Sequence, residues 1–201
     1  MGSGRAEPPD SAQEALRISA VLDERFHALK GDAVATSKDA AFRELFRILE
    51  ASGIEYALIG GVAVQLWRRE PRTTLDIDVA VKSYESVPRG ALETSGFRVL
   101  ARHAHSENWA GPGGTPVQFS DDPAFASLIE SAVHRGFEGG RVRVANPLSL
   151  VREKLRAAAD PARRESKRFQ DLADAKGLAE EHPEVEEFLT PAERAFLKRT
   201  L

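Results

Sequence analysis

Apolar side chains recur at three- to four-residue intervals in two early stretches, the period of a helix with one face turned to a core. Ala15, Ile18, Leu22, Phe26 and Leu29 form the first stripe. The capping box Ser11-Ala12-Gln13-Glu14 opens it and Gly31-Asp32 closes it. Phe42, Leu45, Phe46 and Leu49 form the second, from near Ser37 to a stop at Gly53. The pattern then shortens. Tyr56-Ala57-Leu58-Ile59 is an apolar strand running into Gly60-Gly61. Val62 to Arg69 is long enough for about two helical turns before Pro71 ends them. Leu75 to Val81 reads as a strand, Ser83 to Ser95 as a helix closed by Gly96, and Phe97 to Ala101 as a strand. Gly111-Pro112-Gly113-Gly114 is a turn. Beyond it the spacing predicts a strand over Pro116 to Ser120, a helix over Pro123 to His134 and a strand over Arg141 to Ala145. From Pro147 the pattern is helical, over 147–159, 164–180 and 191–199. A second capping box, Thr190-Pro191-Ala192-Glu193, opens the last of these.

Helices, then mixed strands and helices, then helices again predict an α+β fold. Its parts are an N-terminal tail and helix over 1–36, a mixed-sheet core over 37–146, and a helical segment over 147–201 packed on that core. The chain has 201 residues, 42% of them hydrophobic, enough for a core of that kind. The longest nearly apolar run, Tyr56 to Val64, is far short of the roughly 20 residues of a membrane span. The first twenty residues carry no continuous apolar stretch, so neither a signal peptide nor a membrane partner is expected, and a cytoplasmic location is.

With no cysteine, thiolate nucleophiles, disulfides and Cys-ligated zinc or iron–sulfur centres are excluded. Any metal must sit on carboxylates, imidazoles or backbone oxygens. The net charge of −3 hides an uneven distribution. Residues 152–168 hold seven basic and three acidic side chains, whereas 170–193 hold one basic and eight acidic. These are either ordinary solvated helix faces or a cationic patch, beside an acidic one, suited to a nucleotide or RNA.

The chemistry concentrates between Gly60 and Asp78. Asp76 and Asp78 project to one side of their strand, while Leu75, Ile77, Val79 and Val81 project to the other. Carboxylates about 6–7 Å apart along a strand repel and raise one another's pKa unless a cation compensates. Mg²⁺, with Mn²⁺ as a substitute, suits such oxygen ligands together with substrate phosphates. A strand that stops at Gly60-Gly61 and turns into a helix lets backbone N–H groups approach an anion. Arg68, Arg69 and Arg72 follow as phosphate partners or as surface cations. Thr73 and Thr74 offer hydroxyls or simply start the strand. Lys154 falls at the edge of the stripe Leu148, Val151, Leu155 and Ala158, either snorkelling or facing the site. Asp171 and Asp174 share one face of the next helix and Phe169 another, so the acids are either solvated or turned into a cleft. His103 and His105 alternate in a possible strand, but no third nearby ligand makes them a metal pair.

Taken together, Ile59-Gly60-Gly61-Val62-Ala63 and Pro71-Arg72-Thr73-Thr74-Leu75-Asp76-Ile77-Asp78 resemble the polymerase-β-type nucleotidyltransferase superfamily. The closer likeness is to its AbiEii/AbiGii toxin-like branch, which includes the MenT-like transferases. It extends over about residues 40–180, through Lys154-Leu155 and Asp171-Leu172-Ala173-Asp174. The resemblance implies a nucleotidyltransferase-type mixed sheet flanked by helices. It also implies Mg²⁺-dependent transfer of an NMP from an NTP to a hydroxyl on RNA or tRNA, a protein or a small molecule. In that reading Asp76 and Asp78 hold metal, and Gly60, Gly61, Arg72, Thr73, Thr74 and Lys154 hold the nucleotide. Lys154, Asp171 and Asp174 complete the catalytic set, and an antitoxin is a further expected partner. The superfamily often places a third carboxylate on a later strand; here Gln118 takes that place, with Asp121 and Asp122 nearby as substitutes. The alternatives are a non-catalytic binding or regulatory protein on the same fold, and an aminoglycoside-type small-molecule transferase.

Overall fold

The computed structural model describes residues 38–70, 74–137 and 140–199. The helix expected over the first thirty residues lies outside them. Helix α1 (Lys38–Ala51) buries Phe42, Leu45, Phe46 and Leu49, the stripe read from the sequence, together with Ile48. Strand β1 (Tyr56–Ile59) is buried throughout and leads directly into α2 (Gly60–Trp67). Strand β2 (Ile77–Val81) follows. It begins later than its apolar pattern predicts, because Leu75 and Asp76 sit in exposed backbone ahead of the first sheet hydrogen bonds.

The helix expected over Ser83 to Ser95 is broken at Pro88 into a single 3-10 turn and α3 (Arg89–Thr94), as proline's missing N–H requires. Strands β3 (Arg98–Arg102), β4 (Glu107–Ala110) and β5 (Pro116–Ser120) then form an antiparallel meander. The sequence does not announce β4, and His103 and His105 lie in the turn before it rather than in a strand. The expected helix over Pro123 to His134 shrinks to a 3-10 turn and α4 (Ala126–Glu130). Its end becomes strand β6 (Val133–Phe137), which pairs antiparallel with β7 (Gly140–Val144). Four helices follow: α5 (Pro147–Ala159), α6 (Glu165–Glu181), the short α7 (Val185–Phe188) and α8 (Pro191–Leu197). Thr190 and Glu193 make the expected capping box of α8.

Among the described residues one mixed sheet has the order β3-β4-β5-β2-β1-β7-β6. The pair that matters runs side by side at its centre: β1 is antiparallel to β2, and β2 is parallel to β5. Helix α2 packs on β1, β2, α5 and α6. Trp67 Nε1 donates to the Ala145 carbonyl at 2.9 Å, and the Trp67 carbonyl lies 3.0 Å from His182 Nε2 at the end of α6. These bonds fix α2 between the sheet and the C-terminal helices. Toward the β3 edge, Glu107 is fully buried and receives hydrogen bonds from Arg89, Arg102 and Trp109. Burial raises the Glu107 carboxyl's pKa, but those bonds outweigh it and hold the group below its ordinary value. No helix among the described residues is long and apolar enough to cross a membrane.

Candidate active site

Register builds the site. Ile59, the last residue of β1, pairs with Asp78 of β2, so Gly60 emerges directly against that carboxylate. Gly60 has φ +67°, and a Cβ there would lie 1.9 Å from Asp78 Oδ2. Both conditions require glycine: the left-handed backbone and the absence of a side chain. Ile59 precedes α2 and no side chain caps the helix, so its first N–H groups remain available to an anion. Gly61 is buried within that first turn.

Asp78 is half-buried, and its carboxylate makes no hydrogen bond with any described residue. Burial, and then the Asp76 charge, push its pKa up to about 7, against the pull of Lys154 and Lys38. Asp76 is exposed and accepts from Thr74 Oγ1 at 2.9 Å, so Thr74 orients this carboxylate. The Lys38 ammonium in turn donates to the Thr74 carbonyl. Arg72 and Thr73 lie outside the described residues. Arg68 and Arg69, expected as either phosphate partners or surface cations, turn to acidic neighbours. Arg68 pairs with Glu70 at 3.1 Å and lies against Gly177 of α6, while Arg69 faces Glu181. The trailing end of α2 is tethered to α6, which draws both side chains away from its N-terminus.

In the parallel pair Asp78 stands beside Gln118, which itself faces Asn108 across β4. The sheet row next to Asp78 therefore carries amides, which neither neutralise a cation nor accept a proton. Asp121 and Asp122 stand away from Asp78 along the sheet. They follow Ser120, the partner of Ala80, so they lie roughly 10 Å along the strand from Asp78. Asp121 is engaged by His105 at 3.3 Å, and Asp122 caps the next turn through Ala124 N.

The C-terminal helices complete the surroundings. Lys154, Asp171 and Asp174 are all buried, not solvated or snorkelling. Lys154 Nζ lies 2.9 Å from Asp171 Oδ1, 3.8 Å from Asp174 Oδ2 and 3.9 Å from Glu153 Oε2. Arg163 Nε holds the other Asp171 oxygen at 2.6 Å. Burial works to lower the Lys154 pKa, but the three carboxylates prevail and raise it, so the ammonium stays charged. Phe169 points away from this network and is exposed. Glu153 is the group that sequence reading missed. A Glu beside a Lys on a helix reads as a solvated pair, and only the packing of α5 reveals its burial.

The site thus joins an uncapped helix start, a glycine pressed on a carboxylate, a second carboxylate one strand step away and a buried lysine. A mixed sheet of this order, flanked by these helices, has the nucleotidyltransferase fold. Among solved structures the chain is similar to ANT(2'')-Ia in complex with adenylyl-2''-tobramycin, at 16% identity and TM-score 0.55, over 79% of this chain and 96% of that one. A solution structure of the antibiotic-resistance factor ANT(2'')-Ia aligns at 13% identity and TM-score 0.56, over 79% and 89%. JHP933 from Helicobacter pylori aligns at 19% identity and TM-score 0.52, over 80% and 71%. No protein-family model matches the sequence, and no curated protein matches it.

Proposed function

We propose that this protein is a Mg²⁺-dependent nucleotidyltransferase that moves an NMP from an NTP to an acceptor hydroxyl and releases pyrophosphate. The observation that carries this reading is Asp78. Its carboxylate has no hydrogen bond to a described residue and stands near a second carboxylate; burial and that neighbour raise its pKa to about 7, and a bound cation would favour the charged form of both. Two carboxylates fit Mg²⁺, which takes one or two protein ligands and completes its shell from substrate and water. Bound there by Asp76 and Asp78, the ion would supply charge stabilisation to the attacking and leaving oxygens. The N–H groups at Gly60 and Gly61 receive the triphosphate, and Gly60 keeps its approach to Asp78 free of a side chain. Lys154, charged and locked on Asp171, offers positive potential to the transferring phosphoryl group. Arg72 and Thr73, flanking the acidic strand in sequence, are assigned to the nucleotide as well.

The test is incubation with α-labelled NTPs and Mg²⁺ over pooled small RNA, beside Asp76→Ala. Label should pass to an acceptor with the wild type and fall at least 100-fold with the variant. Transfer that survives the substitution removes Asp76 from the mechanism.

One observation favours a second reading, a non-catalytic nucleotide-binding protein: the amide row of Gln118 and Asn108 beside Asp78. It predicts NTP binding without Mg²⁺ and no turnover on any acceptor.

A further inference from the structure

The two acids of the site are held in different ways. Asp78 lies inside β2, paired with Ile59 on one side and Gln118 on the other. Asp76 has no such support. Strand β2 begins at Ile77, so Asp76 stands exposed in the backbone ahead of the ladder. A carboxylate left there is free to wander unless other groups fix it, and a binding site needs its groups held in place. Side chains supply that order in two steps. Thr74 Oγ1 donates to Asp76 Oδ1 at 2.9 Å, and the Lys38 ammonium donates to the Thr74 carbonyl. Lys38 is the first residue of α1 and reaches a loop 36 residues further along the chain. That helix is a firm anchor. It buries Phe42, Leu45, Phe46 and Leu49 in the core. Ser95 Oγ donates to its Glu44 and Tyr56 Oη to its Glu50, each at 2.7 Å. The series α1, Lys38, Thr74, Asp76 thus ties an exposed carboxylate to the core.

We propose that Lys38 is a positioning residue of this site, fixing Asp76 through Thr74 so that the carboxylate is in place to take a divalent cation with Asp78. The inference rests on the Mg²⁺-dependent reading above, in which those two acids are the ligands. Groups that hydrogen-bond around a ligating carboxylate set its orientation, and losing one weakens metal binding roughly 10- to 100-fold. Lys38 is not itself a ligand, because an ammonium has only donors. Its charge is felt at Asp78. On charge alone Lys38 opposes a second cation, so its removal would tighten metal binding. Positioning predicts the reverse. The sign of the effect therefore separates the two roles.

The test compares wild type, Lys38→Met, Lys38→Arg, Thr74→Val and the double variant Lys38→Met/Thr74→Val. Two readouts are taken: Mn²⁺ affinity by electron paramagnetic resonance, with an α,β-methylene ATP analogue present, and melting temperature. Lys38→Met should weaken Mn²⁺ binding about 10-fold, as the loss of a group supporting a ligand does. Its melting temperature should stay close to that of the wild type, because one half-exposed hydrogen bond adds little to stability. Lys38→Arg, which keeps a donor and a charge, should recover part of the affinity. Thr74→Val breaks the same series one step later, so the double variant should bind Mn²⁺ within about twofold of Thr74→Val alone. Mn²⁺ binding that is unchanged or tighter in Lys38→Met overturns the proposal and leaves the metal reading standing. So does wild-type affinity in Thr74→Val, or losses that multiply in the double variant, since either shows that Lys38 does not act through Thr74. A loss that Lys38→Arg shares in full, with melting lowered by several degrees, shows a merely structural role and overturns it too. A wild type that binds no Mn²⁺ overturns the metal reading and this proposal with it.

Discussion

Gly60 and Asp78 are two halves of one geometric requirement. The backbone at Gly60 is left-handed, a region that costs a non-glycine residue about 1 kcal/mol, and any Cβ would collide with the Asp78 carboxylate. Gly60→Ala should therefore lower the melting temperature and abolish NTP binding measured by calorimetry, because relief comes only by moving Asp78 or the start of α2. Asp78 itself gives a pH signature. Its carboxyl titrates at 3.8 ordinarily and at about 7 in the fold. Between those values the folded chain keeps a proton that the unfolded chain has lost, so this group's contribution to stability declines as pH rises through that window. Above about 7 the full penalty of the buried charge is present. Asp78→Asn should consequently raise the melting temperature clearly at pH 8 and barely at pH 4. An equal gain at both pH values contradicts the account. At this scale the sequence carried the glycines and the paired acids, because β alternation and a strand-ending Gly-Gly are local properties. Glu153 was not legible, since its burial depends on α5 meeting α2 and α6. Which of the two readings of Arg68 and Arg69 holds was not legible either: Gly177 and Glu181 of α6 meet them only once α6 has docked.

The elements that support the site are pinned at a few points. Asn146 caps α5 by accepting from Ser149 N at 2.8 Å, with Pro147 in the first turn. Asn146→Ala should cost about 1 kcal/mol in denaturant unfolding, the usual value of a cap. Asp171 joins α6 to α5 through Lys154 and to the connecting loop through Arg163. Asp171→Asn removes the charge that both cations share, and should cost about 3 kcal/mol, as breaking a buried pair does. An effect under 1 kcal/mol would show that Asp174 carries the pairing instead. The long helices were legible because their caps and 3.6-residue stripes are local signals. Strands β4 and β6 were not. Glu107 lies inside β4 and is tolerated only because Arg89 and Arg102 arrive from other elements. Val133 to Phe137 continues the preceding helical spacing, and becomes a strand through its ladder with β7.

Across the whole molecule, the sheet order places the two functional halves on either side of Asp78. On one side stand β1 and α2, with the glycines and an uncapped helix start. On the other stand β5 and β4, with Gln118 and Asn108. In-line displacement needs opposite approaches for the nucleophile and the leaving group. In the proposed reaction pyrophosphate would leave on the Gly60 side and the acceptor would approach over the amide row. Part of the uneven charge of the C-terminal segment is matched inside the fold. Lys154 and Arg163 from the basic stretch meet Asp171 and Asp174 from the acidic one, so the two stretches neutralise one another at their junction. The most direct measurement is Mg²⁺-dependent pyrophosphate release, coupled to transfer of α-labelled NMP, for the wild type and for folded Asp78→Asn. The account predicts stoichiometric release and transfer by the wild type, and neither by the variant. Equal turnover by Asp78→Asn, or nucleotide binding by the wild type that Mg²⁺ does not strengthen and no transfer follows, would contradict it.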